Sequence, residues 1–240
     1  MEPIPLREGP ARYEESAFLP SEFVEIKSNS FCEVRMQYPL RNMKNAEEQC
    51  FVRKEVYELL QKAAQRLPAG YKFCIWDAWR PFMLQKELYE VYSGEIIRDF
   101  GLDSCTREEA DAVIRKFVSD PVADVCVPPV HTTGGAIDLT LMDDTGRALP
   151  MGTGFDAFTE KTNTAWFEGK NDDRVRDNRR LLYHIMTSVG FTNLPSEWWH
   201  FDYGDRFWGY YNHKPAIYRG VFTKEEIYAE RERESEKGKE

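Results

Sequence analysis

The sequence predicts an α+β domain with a central antiparallel sheet flanked by helices. Three observations predict it. Helical apolar periodicity recurs in separate blocks, at Val52–Leu67, Met83–Val91, Ala110–Phe117 and Leu181–Val189. Between the blocks lie short aromatic and β-branched runs such as Tyr71–Ala78 and Ala136–Met142. A tight turn signal follows one such run, which favours antiparallel neighbours over helix-linked parallel strands.

In chain order, residues 1–20 carry four prolines and little periodicity, and read as an irregular arm. Phe23–Lys27 reads as a strand, followed by a loop to about residue 36. From Cys50 to Leu67, Val52, Val56, Leu59, Leu60, Ala63, Ala64 and Leu67 share one helical face, and Pro68-Ala-Gly70 ends it. Tyr71–Ala78 reads as a buried strand. Pro81 suits the first turn of a helix over about 81–92, with Met83, Leu84, Leu88 and Val91 inward. Thr106-Arg-Glu-Glu109 is a capping box opening another helix.

A proline-containing loop fills 119–130. Ala136–Met142 is a strand, and Asp143-Asp-Thr-Gly146 turns it into a second one. Residues 152–172 form a long loop, a kind of segment that often carries function. A helix over 173–189 closes at Gly190, and strands follow at 190–194 and 198–203. The charged stretch after Thr223 reads as a frayed, solvated helix. The expected organisation is an arm (1–20), a single domain (21–222) and a charged tail (223–240).

Composition bounds the function. Of 240 residues, 42% are hydrophobic and 14% aromatic, enough for a sizeable core. The net charge of −9 argues against a nucleic-acid partner. No stretch approaches the roughly 20 apolar residues of a membrane helix. Met1-Glu-Pro-Ile-Pro5 has no signal-peptide character. Five cysteines without CxxC spacing read as reduced thiols. Together these predict a cytoplasmic protein with no membrane partner. No pattern speaks to oligomeric state.

Two short segments carry chemistry, His131-Thr-Thr-Gly-Gly-Ala-Ile-Asp138 and Glu197-Trp-Trp-His200. Two histidines and a carboxylate, His131, Asp138 and His200, can hold one zinc ion and leave a position open for water, as catalytic zinc sites do. Glu197 can take a proton from that water. On a flat strand residues seven apart face opposite ways, so convergence of His131 and Asp138 requires a turn at Gly134-Gly135. The same alternation requires a bend at Ser196-Glu197, with Glu197 just before the strand and His200 on it. Trp198 and Trp199 also suit an aromatic core strand. His184 reads as a packed or half-exposed helix residue and His213 as surface.

The pattern His131-xx-Gly134-x-Ala136-x-Asp138 with Glu197-x-x-His200 resembles the zinc peptidases of bacterial cell-wall peptides, the lysostaphin, D-Ala-D-Ala metallopeptidase and hedgehog-like group. Asp77-Ala-Trp-Arg-Pro81, Met151-Gly-x-x-Phe-Asp156 and the doubled Trp narrow the resemblance to the D-alanyl-D-alanine dipeptidases of the vancomycin-resistance type. It covers about residues 50–203. It implies zinc ligation by His131, Asp138 and His200, with Glu197 as general base and then acid. It also implies that Arg80 stabilises the oxyanion, for which a planar, permanently charged fork is suited; a structural ion pair is the other reading of Arg80. A dipeptidase must read a free ammonium, and Asp156 is the candidate, although loop Asp residues also form turns.

Pro129 departs from the pattern, because the family has Ser two residues before the first histidine. The family's Tyr and Asn-Phe region has only an echo in Tyr38 and Asn42-Met43. The expectation is zinc-dependent hydrolysis of the D-Ala-D-Ala dipeptide. The alternatives are a carboxypeptidase or dipeptidase of the same zinc class acting on another cell-wall peptide, a non-catalytic metal-containing binding module, and a Cys126–His131 hydrolase.

Overall fold

The computed structural model describes residues 1–237, with side chains through Glu232. The elements in chain order are β1 (Phe23–Ile26), β2 (Cys32–Val34), α1 (Gln37–Leu40), β3 (Cys50–Arg53), α2 (Lys54–Ala64), β4 (Lys72–Asp77), α3 (Phe82–Asp99) and α4 (Arg107–Ile114). They continue with β5 (Ala136–Met142), α5 (Asp173–Ser188), β6 (Thr192–Asn193), β7 (His200–Asp202), α6 (Arg206–Asn212) and α7 (Lys224–Lys237). The main sheet has the order β2-β4-β5-β7-β6, and β1 pairs with β3 in a separate ribbon. The fold is α+β, as the sequence predicts. The sheet is mixed rather than wholly antiparallel, because β2 runs parallel to β4. The chain between them passes through α1, β3 and α2, a crossover long enough for a parallel return.

β5 is the centre of the sheet, and all seven of its residues are buried. Its continuous apolar run fits a strand covered on both faces. Asp138 interrupts that run with a carboxylate, which is a costly place for an unpaired charge.

Several elements differ from the sequence reading for local reasons. Cys50–Arg53 is a strand, not the first helical turn. Its residues are all buried, and they pair with β1 in the register Ile26↔Cys50 to Phe23↔Arg53. The helix begins at Lys54 with Val56, Leu60 and Ala63 inward. α3 runs seven residues beyond the expected end, through Gly94 to Asp99, because Tyr92 and Ile96 continue its buried face against Ile114 and Val118. The Asp143–Gly146 turn forms, but its second strand reduces to one bridge between Met142 and Ala148. Pro150 cannot donate to a longer ladder. The tail is not freely solvated: Ile227 is fully buried with Phe23, Phe51, Trp79 and Val221, and Glu230 pairs with buried Arg53 at 3.0 Å.

The long loop is held from α5. Arg179, 1% exposed, donates to the carbonyls of Met151 (2.8 Å), Lys161 (2.8 Å) and Asn163 (2.7 Å). Its guanidinium also lies over the rings of Phe167 and Trp198. The carbonyl oxygens and ring faces satisfy a buried cation without a carboxylate. Among the described residues, no helix is long and apolar enough to cross a membrane.

Candidate active site

Three neighbouring strands bring the site together. Asp77 on β4, Asp138 on β5 and His200 on β7 are register partners, so they lie abreast across the sheet. His131 comes from a 3-10 turn, Val130–Thr133, instead of a strand. Gly134 then reverses the chain at φ 74°. A Cβ at Gly134 would stand 2.3 Å from the Phe23 ring, and one at Gly135 would stand 2.4 Å from the Tyr203 carbonyl oxygen. The Gly-Gly pair thus supplies both the turn and the close approach that convergence requires.

The hydrogen bonds fix which ring atoms face inward. His131 Nδ1 lies 2.8 Å from the Ala78 carbonyl oxygen, an acceptor, so Nδ1 carries the proton and Nε2 keeps its lone pair. His200 Nε2 lies 2.7 Å from Asp202 Oδ1, which leaves the lone pair on Nδ1. These two free nitrogens are 3.2 Å apart, and Asp138 Oδ1 is 3.0 Å from His200 Nδ1. Two lone pairs and a carboxylate aimed at one another call for a cation. One ligand atom from each of His131, Asp138 and His200 lies within 4.8 Å of the others, and all three residues are buried. The set fits a zinc ion in kind and number. Burial opposes charge on His200, but Asp202 and Asp138 outweigh it and raise the ring's pKa well above its ordinary value, so without a metal a proton takes the Nδ1 lone pair that the ion would otherwise use. The same attraction to the histidines overcomes burial at Asp138 and lowers its pKa.

Glu197 follows the Pro195–Ser196 turn and precedes β7, so it reaches the site from the mouth. Its side chain is 24% exposed, and Oε2 lies 3.9 Å from His200 Nδ1. Burial, helped by the Asp138 and Asp156 carboxylates, pushes its pKa to about 8 against the pull of His200 and Arg80. Trp198 and Trp199 are core residues, 1% and 2% exposed, packed edge-on against Trp76 and Phe155. They fix the turn that carries Glu197.

Arg80 is held on all sides. Nε donates to Asp77 Oδ2 (2.9 Å), Nη1 to Gln85 Oε1 (2.6 Å) and Nη2 to the Tyr38 hydroxyl (3.2 Å). Nη2 also lies 3.9 Å from Asp138 Oδ2. Asp156 sits in the left-handed region, φ 55°, where Asp is tolerated. Its Oδ2 accepts from Arg41 Nη1 (2.8 Å) and from the Tyr92 hydroxyl (2.9 Å).

An inner space of about 50 Å³ touches His131, Asp138, His200, Glu197, Arg80 and Asp156. An outer cleft of about 440 Å³ shares Asp156 and Glu197 with it. A cavity of about 510 Å³ between the arm and the 163–170 loop includes none of these six residues. Pro129, lining the inner space, offers neither the hydroxyl of a serine nor an N–H. Cys126 is exposed and lines none of these spaces. His184 is away from the site, bonded to the Glu2 carbonyl. His213 is exposed and ends α6 at φ 53°.

Residues 40–218 match the family model described as D-ala-D-ala dipeptidase. The chain belongs to the D-Ala-D-Ala dipeptidase family. A D-alanyl-D-alanine dipeptidase of Synechocystis is 31% identical over 160 residues, covering 60% of this chain and 65% of the relative. One from Escherichia coli is 32% identical over 156 residues, covering 64% of this chain and 66% of the relative. The match thus spans just under two thirds of each relative. A solved vancomycin-resistance D,D-pentapeptidase in complex with Zn(II) aligns with a TM-score of 0.40 at 15% identity, over 72% of this chain and 85% of that one. The six residues around the inner space all fall within the family match, while the whole of the arm and all of α7 lie outside it.

Sequence reasoning gave no role to the outer partners of the ligands. Asp202 is two residues after His200 on the same strand, hence on the same face, and that spacing was the available signal. Asp202 Oδ2 and Asp205 Oδ2 are both buried without a hydrogen-bond partner among the described residues. Burial and the neighbouring Asp202 raise the Asp205 pKa well above its usual value, and one proton shared between the two carboxyls would satisfy both. Partners of this kind orient a metal-bound imidazole. Asp202→Asn is expected to weaken zinc binding about 10–100-fold, read by competition with a chelator. Unchanged affinity would remove Asp202 from that role.

Proposed function

We propose that the chain is a zinc-dependent D,D-dipeptidase that hydrolyses D-Ala-D-Ala. The observation that carries the reading is the convergence of two imidazole lone pairs and one carboxylate beside a second carboxylate, Glu197. Family membership supports it. His131, Asp138 and His200 would hold one zinc ion per chain, which when bound supplies Lewis acidity and lowers the pKa of a coordinated water.

The remaining steps belong to the chain's own residues. Glu197 takes the proton from the attacking water and returns it to the leaving amine, as a carboxylate positioned beside the metal ligands can. Arg80, a permanent cation on a fixed backbone, steadies the negative charge that develops on the carbonyl oxygen. The Asp77 and Gln85 bonds keep its fork from swinging away. Asp156 pairs with the substrate ammonium through Oδ1, since Oδ2 is held by Arg41 and Tyr92. The catalytic unit in this reading is residues 21–222, steadied by α7. We assign the reaction to the cytoplasm, a compartment that suits the five free thiols.

A dipeptide panel tests the proposal. D-Ala-D-Ala should be cleaved, L-Ala-L-Ala spared, and activity abolished by chelator and restored by Zn²⁺. Chelator-resistant cleavage, or no cleavage of any D,D-dipeptide, overturns it. Cleavage confined to longer stems would favour the carboxypeptidase alternative.

A further inference from the structure

We propose that the N-terminal arm, residues 1–14, forms the outer wall of the peptide cleft and limits how long a peptide can reach the site. The inference rests on the peptidase reading above. Gly9 and Pro10 line the outer cleft, together with Glu197, Asp156, Trp199 and Phe207. With the arm in place the cleft measures about 440 Å³, at the small end of the roughly 300–1,000 Å³ that houses a single small ligand. That space is matched to a short peptide. No heavy atom lies within 4 Å of where a Gly9 Cβ would stand, so the arm at this point bounds open space without filling it.

The arm is tied down on both sides of this segment. Before it, Arg180 Nη1 donates to the Met1 carbonyl (3.0 Å), and the Ile4 N–H donates to Glu168 (2.9 Å). His184 Nε2, outside the metal set, holds the Glu2 carbonyl at 2.7 Å. The Tyr211 hydroxyl holds the Glu8 carbonyl at 2.9 Å, immediately before Gly9. Beyond it, the Tyr13 hydroxyl donates to the Lys214 carbonyl (3.1 Å), and Ala17 pairs with Ala216 (2.9 Å).

These ties are mostly to main-chain atoms, and Ile4 is the only buried residue among the first fourteen. A segment held this way opens at less cost than the core. The arm also precedes the family match, which begins at residue 40, and the hydrogen bonds given above for Arg80, His131, Asp156 and His200 run to residues outside the arm.

The test compares the full chain with one lacking residues 2–12 and with the full-length Tyr211→Phe/His184→Ala double variant, which cuts two ties. Substrates are D-Ala-D-Ala and the same dipeptide extended by three residues at its amino or, separately, its carboxyl end. Removal of the arm is expected to raise kcat/KM for at least one extended peptide, relative to the dipeptide, about tenfold or more. The double variant should move the same ratio in the same direction by less. If the truncated chain melts as a folded protein and neither ratio moves, the inference is overturned. If it does not fold, the double variant decides, with faster trypsin cleavage at Arg7 and Arg12 verifying that the arm is loosened. Failure of the full chain to cleave D-Ala-D-Ala would instead overturn the functional reading, and this inference with it.

Discussion

Glu197→Ala should retain its zinc and lose activity by about 10²–10⁴-fold, the usual contribution of a positioned acid–base group. The expectation follows from where the carboxyl stands. It lies outside the three-residue set whose ligand atoms converge, yet its Oε2 is only 3.9 Å from one of those ligands. Metal analysis and kcat on one preparation check it. Loss of metal together with activity would make Glu197 a ligand and leave Asp138 without its assigned role.

Stability gives an independent reading of the same residue. In the metal-free protein the carboxyl's pKa is raised from 4.5 to about 8, so the folded state holds a proton that the unfolded chain releases. The folded state is therefore most favoured, as far as this group is concerned, below the ordinary glutamate range, and that advantage is lost as pH rises from about 4.5 to about 8. Glu197→Gln, which cannot ionise, should melt at a higher temperature than the metal-free wild type at pH 8, with the difference vanishing near pH 4. An inactive variant that is also more stable cannot be dismissed as misfolded.

Arg80→Lys should lower kcat by about 10²–10³-fold, the cost of losing one oxyanion donor in comparable enzymes. The guanidinium makes three side-chain hydrogen bonds at once, to Asp77, Gln85 and Tyr38, and still comes within 3.9 Å of Asp138. An ammonium cannot meet these partners with one planar geometry. A lower melting temperature is expected as well, because a buried partner is left unmet. The two roles separate in the numbers. A purely structural Arg80 predicts lost stability with kcat per folded, zinc-loaded molecule within about threefold of wild type, and that result would remove it from the proposed mechanism.

Much of the site was legible because its signals are local. Two glycines between His131 and Asp138 announce a turn, and a turn is what lets residues seven apart converge. The alternation rule for strands places Glu197 ahead of His200. Asp77 and Asp202 were harder to read, because each lies against another site residue, Arg80 or His200, and neither has a ligand's spacing of its own. Arg41 and Tyr92 were invisible for a related reason: they meet Asp156 only through tertiary packing. In the fold, Val52 fits equally as the first residue of a helical face and as part of a buried strand, and only pairing with β1 decides between them. β2 and α1, at three and four residues, are too short to show a period. The docking of α7 places one fully buried apolar residue, Ile227, inside a charged run, and its other contacts, Tyr228 on Phe51 and Glu230 on Arg53, show no period in the sequence.

The grip of Arg179 on the loop carrying Asp156 bears on how this protein can change. The guanidinium holds main-chain oxygens, which every amino acid possesses, and so this part of the loop's anchoring does not depend on which side chains the three residues carry. Substitutions at Thr159 or Glu160, which border the outer cleft, can alter the shape and charge met by a peptide while the three carbonyl bonds persist. The loop is therefore a ready register for directed evolution of substrate preference: randomised libraries over those positions should yield mostly folded proteins, whereas libraries that include Arg179 should not.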